Sequence, residues 1–185
     1  LIRSHPSCIM VTYINEPRPD LTTEPHRHLE RFELEEFFSA CNVIVRLNNP
    51  DRIIKHVDGD FNPPTEGMPD FHCYTCWYNG HGVDIGKLIK GYNVEVKPGW
   101  YYGCGEYGAE GLEELDIMKK YYPPRWLKEP FDPANIVRCQ TKNIHYHFFD
   151  TQDNLQDWIS TSQDYQAWAT KVMTDAYRRD SRMIS

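Results

Sequence analysis

Short apolar runs alternate with helical patterns along this 185-residue chain, and this alternation constrains the fold more than any other feature. Runs with the length and the β-branched or aromatic content of strands lie at 8–14, 53–57, 71–77 and 100–106. A helical pattern separates the first run from the second, and a shorter one at 83–90 separates the third from the fourth. Strands that alternate with helices form parallel sheets with right-handed crossovers. The pattern therefore predicts an α/β fold.

Two helical patterns are long enough to indicate where they end. The first repeats apolar residues from Leu34 to Ile44 and ends at Asn48-Asn49-Pro50, because a proline restricts the residue before it to extended backbone. The second is the longest amphipathic stripe in the chain and runs from Leu155 to Tyr177. Asp153, three residues before Gln156, predicts a capping box at the start of this second helix.

Two of the predicted strands end in a carboxylate. Glu16 follows the first strand, and Glu106 ends the fourth strand about ninety residues later, roughly the length of three βα units. In a barrel of eight parallel strands, carboxylates three strands apart face each other across the mouth. A glutamate at a strand end also serves as an ion-pair partner or a helix cap, so the spacing alone leaves both interpretations open.

The residues around these carboxylates carry a family resemblance. Arg3-Ser4-His5-Pro6-Ser7 precedes the first strand, Asn15-Glu16-Pro17 follows it, and Gly105-Glu106-Tyr107-Gly108-Ala109 ends the fourth. These segments resemble the catalytic domain of glycoside hydrolase family 2, and the resemblance covers roughly 1–111. It implies part of a (β/α)8 TIM barrel, with about strands four to seven and their helices.

The resemblance also implies how the chain is organised. Residues 1–185 would form a single incomplete catalytic domain, in which 112–153 is an insertion and 154–180 is a long amphipathic helix. Strands one to three and strand eight would be missing, which leaves two open sheet edges. Such a fragment is expected to be inactive, and unstable or oligomeric, on its own.

By the same resemblance the chain is a retaining β-glycosidase that works by double displacement. Glu16 would be the acid/base, Glu106 the nucleophile, and Asn15 would hydrogen-bond the sugar 2-hydroxyl group. Further candidates for substrate binding lie at the strand ends: His72, Tyr74, Trp77 and Tyr107. A core or rim role is open for Tyr74, a structural role for His72, and packing against the next turn for Tyr107.

Composition is consistent with a neutral carbohydrate substrate. The formal charge of −7, with no basic block, argues against nucleic acid or an anionic membrane as a partner. Tyr and Trp are abundant, and aromatic faces stack on the C–H face of a sugar, although they also fill cores. No cofactor is predicted. The sequence leaves β-galactoside, β-mannoside and β-glucuronide open as substrates, and it leaves localisation and oligomeric state open.

The cysteines and the remaining acidic residues give weaker signals. Cys8, Cys41 and Cys104 fit reduced core thiols. Asp58 and Asp60 flank a glycine and fit a turn better than chemistry. No metal site is predicted, because the Cys-x-x-Cys of Cys73 and Cys76 lacks a second well-spaced pair. Two alternatives stay open: an inactive carbohydrate-binding barrel fragment, or a small zinc module built on His72, Cys73, Cys76 and His81.

Overall fold

The computed structural model describes residues 5, 7–17, 29–59, 70, 72–74, 85–90, 101–128 and 152–183. Within these ranges the chain forms two strands, four α-helices and one turn of 3-10 helix. The strands are β1 (Met10–Asn15) and β2 (Ile53–Asp58). The helices are α1 (Arg31–Asn48), α2 (Ile85–Ile89), α3 (Leu115–Tyr121), the 3-10 turn Pro124–Trp126 and α4 (Leu155–Arg179).

The two strands form a parallel sheet. Met10 lies opposite Ile53 and Asn15 opposite Asp58, and α1 connects the strands along the chain. The predicted mixed α/β class and the first helix are therefore confirmed. The first strand begins at Met10 rather than at Cys8.

The described residues fall into two compact units. Unit 1 comprises the described parts of Leu1–His72, Glu95–Glu106 and Arg182–Ser185, and it holds β1, α1 and β2. Unit 2 comprises those of Cys73–Val94 and Tyr107–Ser181, and it holds the other helices. The prediction of a single domain over 1–185 stays a prediction.

The core of unit 1 lies between α1 and the sheet. Leu34 and Phe38, one helical turn apart, form a buried cluster with Val57 of β2. Tyr13 and Ile14 of β1 pack against this cluster. The apolar spacing of α1 thus buries one face of the helix on the strands that precede the site residues.

The core of unit 2 is built on α4. Trp158 and Ile159 of this helix are buried in a cluster with Leu112. The buried Ser162 hydroxyl accepts the N–H of Leu112 at 2.9 Å and donates to the Ile159 carbonyl at 2.9 Å. The long amphipathic stripe is therefore confirmed as a core helix that also anchors the backbone at Leu112.

The ends of the two long helices are held by different side chains. Glu33 accepts the backbone N–H of Glu30 at 2.8 Å at the start of α1. At the start of α4 the Asn154 side chain accepts the N–H of Asp157 at 2.9 Å. The predicted capping box at Asp153 is therefore wrong by one position, because the asparagine oxygen caps the first turn instead.

The third and fourth predicted strands are present in the described residues as isolated parallel bridges. Each bridge lies within one unit: Asp70 with Gly103, Tyr102 with Met183, and Cys73 with Tyr107. A continuous strand over 101–106 is therefore a wrong prediction. Gly103 keeps its bridge to Asp70, and the chain bends at Gly105, where the missing side chain weakens a strand.

The remaining predicted elements are covered only in part. The short helix predicted at 83–90 is confirmed as α2, with 83–84 outside the described residues. Residues 71 and 75–77 of the third predicted strand, and 129–151 of the predicted insertion, also lie outside them. Among the helices that are described, none has the length and apolar character to cross a bilayer.

We expect Leu34→Ala to lower the free energy of unfolding by about 2–5 kcal/mol, because it opens a cavity in the core of unit 1. Leu34 is 0 % exposed, whereas Leu47 on the same helix is 79 % exposed. The matched change Leu47→Ala should alter the free energy by less than about 0.5 kcal/mol. Urea unfolding of both variants tests this packing, and equal losses would contradict it.

Candidate active site

The site is built at the carboxyl ends of the two parallel strands of unit 1. Glu16 directly follows β1, and Asp58 is the last residue of β2. The backbone N–H of Glu16 donates to the carbonyl of Asp58 at 2.8 Å. This hydrogen bond extends the pairing of the sheet by one residue and fixes where the Glu16 side chain leaves the backbone.

Glu16 has a strained backbone. Its φ is 42°, in the left-handed region that residues with a side chain seldom adopt. Pro17 follows directly and further restricts the residue before it. Residues held in such conformations cluster at functional sites, because the surrounding structure has to stabilise them. The strain therefore marks Glu16 as a residue whose side-chain direction is imposed by its setting.

His72 lies at the centre of the site. Its side chain is 0 % exposed, and Nδ1 lies 2.7 Å from Oε1 of Glu16, a hydrogen-bonding distance. The other ring nitrogen, Nε2, lies 3.7 Å from Oε1 of Glu106. The structure thus brings the two predicted catalytic glutamates to opposite nitrogens of one buried imidazole.

Two further carboxylates face the same ring. Nε2 of His72 lies 3.9 Å from Oδ1 of Asp70 and 4.0 Å from Oδ1 of Asp58. Asp58, which the sequence assigns to a turn, is therefore also part of the acidic surroundings of His72. Gly59 follows Asp58 with a positive φ of 89°, in the region that favours glycine, and Asp60 lies outside the described residues.

Two glycines make room for these side chains. A Cβ at Gly105 would lie 1.7 Å from Oδ1 of Asp58, and one at Gly59 would lie 2.4 Å from Cε1 of His72. Both distances are far shorter than real contacts. The close approach of the Asp58 carboxylate and the His72 ring therefore requires glycine at both positions.

Ion pairs of the buried Lys55 with Asp58 and Asp70 stabilise the site. Nζ of Lys55 donates to Asp70 at 2.6 Å and to Asp58 at 2.7 Å. Asp70 also accepts the backbone N–H of Gly59 at 2.6 Å and that of Gly105 at 3.4 Å. Burial opposes the charge on Lys55, but its hydrogen bonds to Asp58 and Asp70, with their negative charges, outweigh burial and raise the pKa of Lys55.

Of the other predicted substrate-binding residues, one lies at the end of β1, two lie in unit 2, and one lies outside the described residues. Asn15 is exposed at the end of β1, opposite Asp58. In unit 2 the Tyr107 hydroxyl lies 2.8 Å from that of Thr174 on α4, and its predicted role stays a prediction. Tyr74 is half-buried in unit 2, and Trp77 lies outside the described residues.

Lys55 and Asp70 were not predicted from the sequence, although the pattern of β2 carries a signal for Lys55. In a strand, residues two apart share a face, so Lys55 must lie on the same buried side as Val57 and needs an anionic partner there. A charged residue two positions from a buried apolar residue of the same strand therefore indicates a buried ion pair.

One group of side chains in the described residues has the composition to hold a metal ion. Asp58, His72 and Glu106 each offer one ligand atom, and these atoms lie within 4.8 Å of one another. Cys73, from the zinc module considered above, is buried and forms no disulfide, while Cys76 and His81 lie outside the described residues.

No protein-family model, curated protein or solved structure matches the chain. The resemblance to glycoside hydrolase family 2 therefore stays a prediction that rests on the motifs around Glu16 and Glu106.

We expect Lys55→Met to lower the free energy of unfolding by about 3–5 kcal/mol, because it leaves the buried Asp70 carboxylate without its cation. Lys119 pairs with Asp116 at 3.8 Å on the surface of unit 2. Lys119→Met should therefore change stability by less than about 1 kcal/mol. Urea unfolding measures the loss of stability in both variants. A loss in Lys55→Met no larger than that in Lys119→Met would contradict the buried ion pair.

The same network predicts a dependence of stability on alkaline pH. Because the pKa of Lys55 is raised in the folded chain, the folded state holds this proton more tightly than the unfolded state. The stabilisation is complete below the ordinary lysine pKa and is lost as pH rises through the higher folded value. The stability difference between wild type and Lys55→Met should shrink above about pH 10. A difference that stays constant through this range would contradict it.

Proposed function

We propose that the chain is a retaining β-glycosidase related to glycoside hydrolase family 2, with Glu16 as acid/base and Glu106 as nucleophile. The observation that carries the proposal is the convergence of these two glutamates on His72. They come from segments about ninety residues apart, and their oxygens lie 2.7 Å and 3.7 Å from its two ring nitrogens. Two glutamates that lie far apart in the chain thus contact one buried side chain.

The exposure of the two carboxylates supports a reaction at this place. The Glu16 and Glu106 side chains are 25 % and 43 % exposed, whereas His72 is fully buried. Both carboxylates are therefore accessible to a substrate, whereas the ring between them is not. Retaining glycosidases need such an arrangement, with the acid/base and the nucleophile flanking one glycosidic bond.

The strand pairings support the barrel that the family resemblance implies. Every β pairing between described residues is parallel, both in the sheet of β1 and β2 and in the isolated bridges. TIM barrels consist of parallel strands only, and their active sites lie at the carboxyl ends of those strands. We accordingly propose that the chain folds as part of a (β/α)8 barrel.

The proposed reaction proceeds in two displacements. An oxygen of Glu106 attacks the anomeric carbon while protonated Glu16 donates its proton to the departing oxygen, so the glycosidic bond breaks and a glycosyl ester forms. Glu16, now a carboxylate, removes a proton from water, which attacks the same carbon and releases Glu106. The substrate is a neutral or weakly charged β-linked sugar, and β-galactosides, β-mannosides and β-glucuronides are the three classes to test.

In the complete barrel enzyme that the resemblance implies, we expect Glu106→Ala to lower kcat for a dinitrophenyl β-glycoside by at least about 10⁴-fold, because it removes the group that forms the covalent intermediate. In Glu16→Ala, azide should restore turnover and give a β-glycosyl azide, since the small anion enters the space of the missing carboxylate, attacks the anomeric carbon of the ester and displaces Glu106. Glu36→Ala, an exposed glutamate of α1, is the matched control and should keep full activity.

Three aryl substrates, the β-galactoside, the β-mannoside and the β-glucuronide, should be assayed in parallel. Wild-type activity in Glu106→Ala on the preferred substrate would falsify the assignment of the nucleophile. Binding of the sugar by the wild-type protein, with no hydrolysis of any of the three, would favour the inactive carbohydrate-binding alternative.

A further inference from the structure

We propose that Asp58, His72 and Glu106 form a binding site for a first-row divalent cation with the ligand preferences of zinc. Their ligand atoms lie within 4.8 Å of one another, a separation that small side-chain movements close around an ion. One imidazole and two carboxylates are a ligand set that suits zinc or cobalt, with a fourth position left for water or another ligand. The site is independent of the cysteines.

The orientation of His72 supports this assignment. Metal-binding histidines use one ring nitrogen for the ion and hold the other on a carboxylate or carbonyl, which fixes the ring. In this site Nδ1 lies 2.7 Å from Oε1 of Glu16, and Nε2 faces Asp58 at 4.0 Å and Glu106 at 3.7 Å. Glu16 thus occupies the position of the supporting carboxylate, and Nε2 is directed at the other two ligands.

The surroundings of the ring also favour a cation. Four carboxylates lie within 4.0 Å of its two nitrogens, and three of them, those of Asp58, Asp70 and Glu106, lie on the side of Nε2. A bound divalent ion is the species that balances such a group of carboxylates most strongly.

The glycines show that the approach of two ligands is built into the backbone. Gly105 admits the carboxylate of Asp58, and Gly59 admits the ring of His72, because a Cβ at either position would overlap them. These glycines lie in different segments of unit 1, so two separate stretches of backbone leave space for the ligand side chains. This makes the closeness of Asp58 and His72 a property of the fold rather than of flexible side chains.

The consequence for regulation rests on the proposed function. The Glu106 carboxylate that would attack the sugar is the same carboxylate that would bind the ion. A bound cation would neutralise this nucleophile and occupy the approach to it, so zinc should inhibit hydrolysis in competition with the substrate. Chelation should restore full activity.

The test is a titration of the metal-free protein with Co²⁺, followed by the visible absorption of the bound ion. We expect one equivalent to bind with ligand-field bands and without a thiolate charge-transfer band. His72→Gln and Glu106→Gln should each weaken binding by about 100-fold, and Glu16→Gln by about 10-fold, because it removes only the support of the ring. Glu36→Gln and Cys73→Ser should bind like the wild type.

Several results would overturn the site. One is the absence of binding, and another is binding that survives both His72→Gln and Glu106→Gln. A third is a thiolate band that disappears in Cys73→Ser, which would show that the metal binds to the cysteines instead. Circular dichroism checks the fold of the buried His72 variant, and the half-exposed Glu106 gives a second, independent test. If zinc displaces the bound cobalt but does not inhibit hydrolysis, the regulatory role is wrong.

The two proposals fail separately. A protein that hydrolyses none of the aryl glycosides but binds cobalt through His72 and Glu106 would retain the metal site and lose the glycosidase. A protein that hydrolyses them through Glu106 but binds no cobalt would retain the glycosidase and lose the metal site.

Discussion

The buried carboxylate of Asp70 is the interaction on which the site depends. Asp70 is 0 % exposed and accepts hydrogen bonds from Lys55, from the backbone N–H of Gly59 and from that of Gly105. These three donors lie in β2, in the turn after β2, and directly before Glu106. One acidic side chain therefore connects the segments that carry Asp58 and Glu106, and its burial is tolerable only because all these donors are present.

This support allows unfavourable features to coexist at the site. Four carboxylates surround one imidazole, and Glu16 holds a left-handed backbone conformation. Each feature would destabilise an isolated segment, since like charges repel and the left-handed region is strained. The parallel pairing of β1 with β2, the ion pairs of Lys55 and the packing of α1 stabilise the backbone around them. Such local conflicts with a stable fold are typical of functional sites.

Local patterns predicted the regular elements well where burial alone decides them. The helices α1 and α4 and the strands β1 and β2 follow from apolar spacing, because each packs one face on a core. The strand predicted at 100–106 is wrong over its described part, because only Tyr102 and Gly103 pair and the chain bends at Gly105. The cap of α4 is Asn154 rather than Asp153, since neighbouring polar residues compete for the same N–H groups and only the path of the chain selects one.

The sequence by itself determined the α/β class, the two long helices and the first two strands, because these depend on residue type and on short apolar spacings. Only the tertiary structure decided that Glu16 and Glu106 share His72, that Asp58 joins them, and that Lys55 and Asp70 hold the group together. The reason is physical: these contacts join residues far apart in the chain, and their distances depend on how strands pair and on where glycine lets two side chains approach.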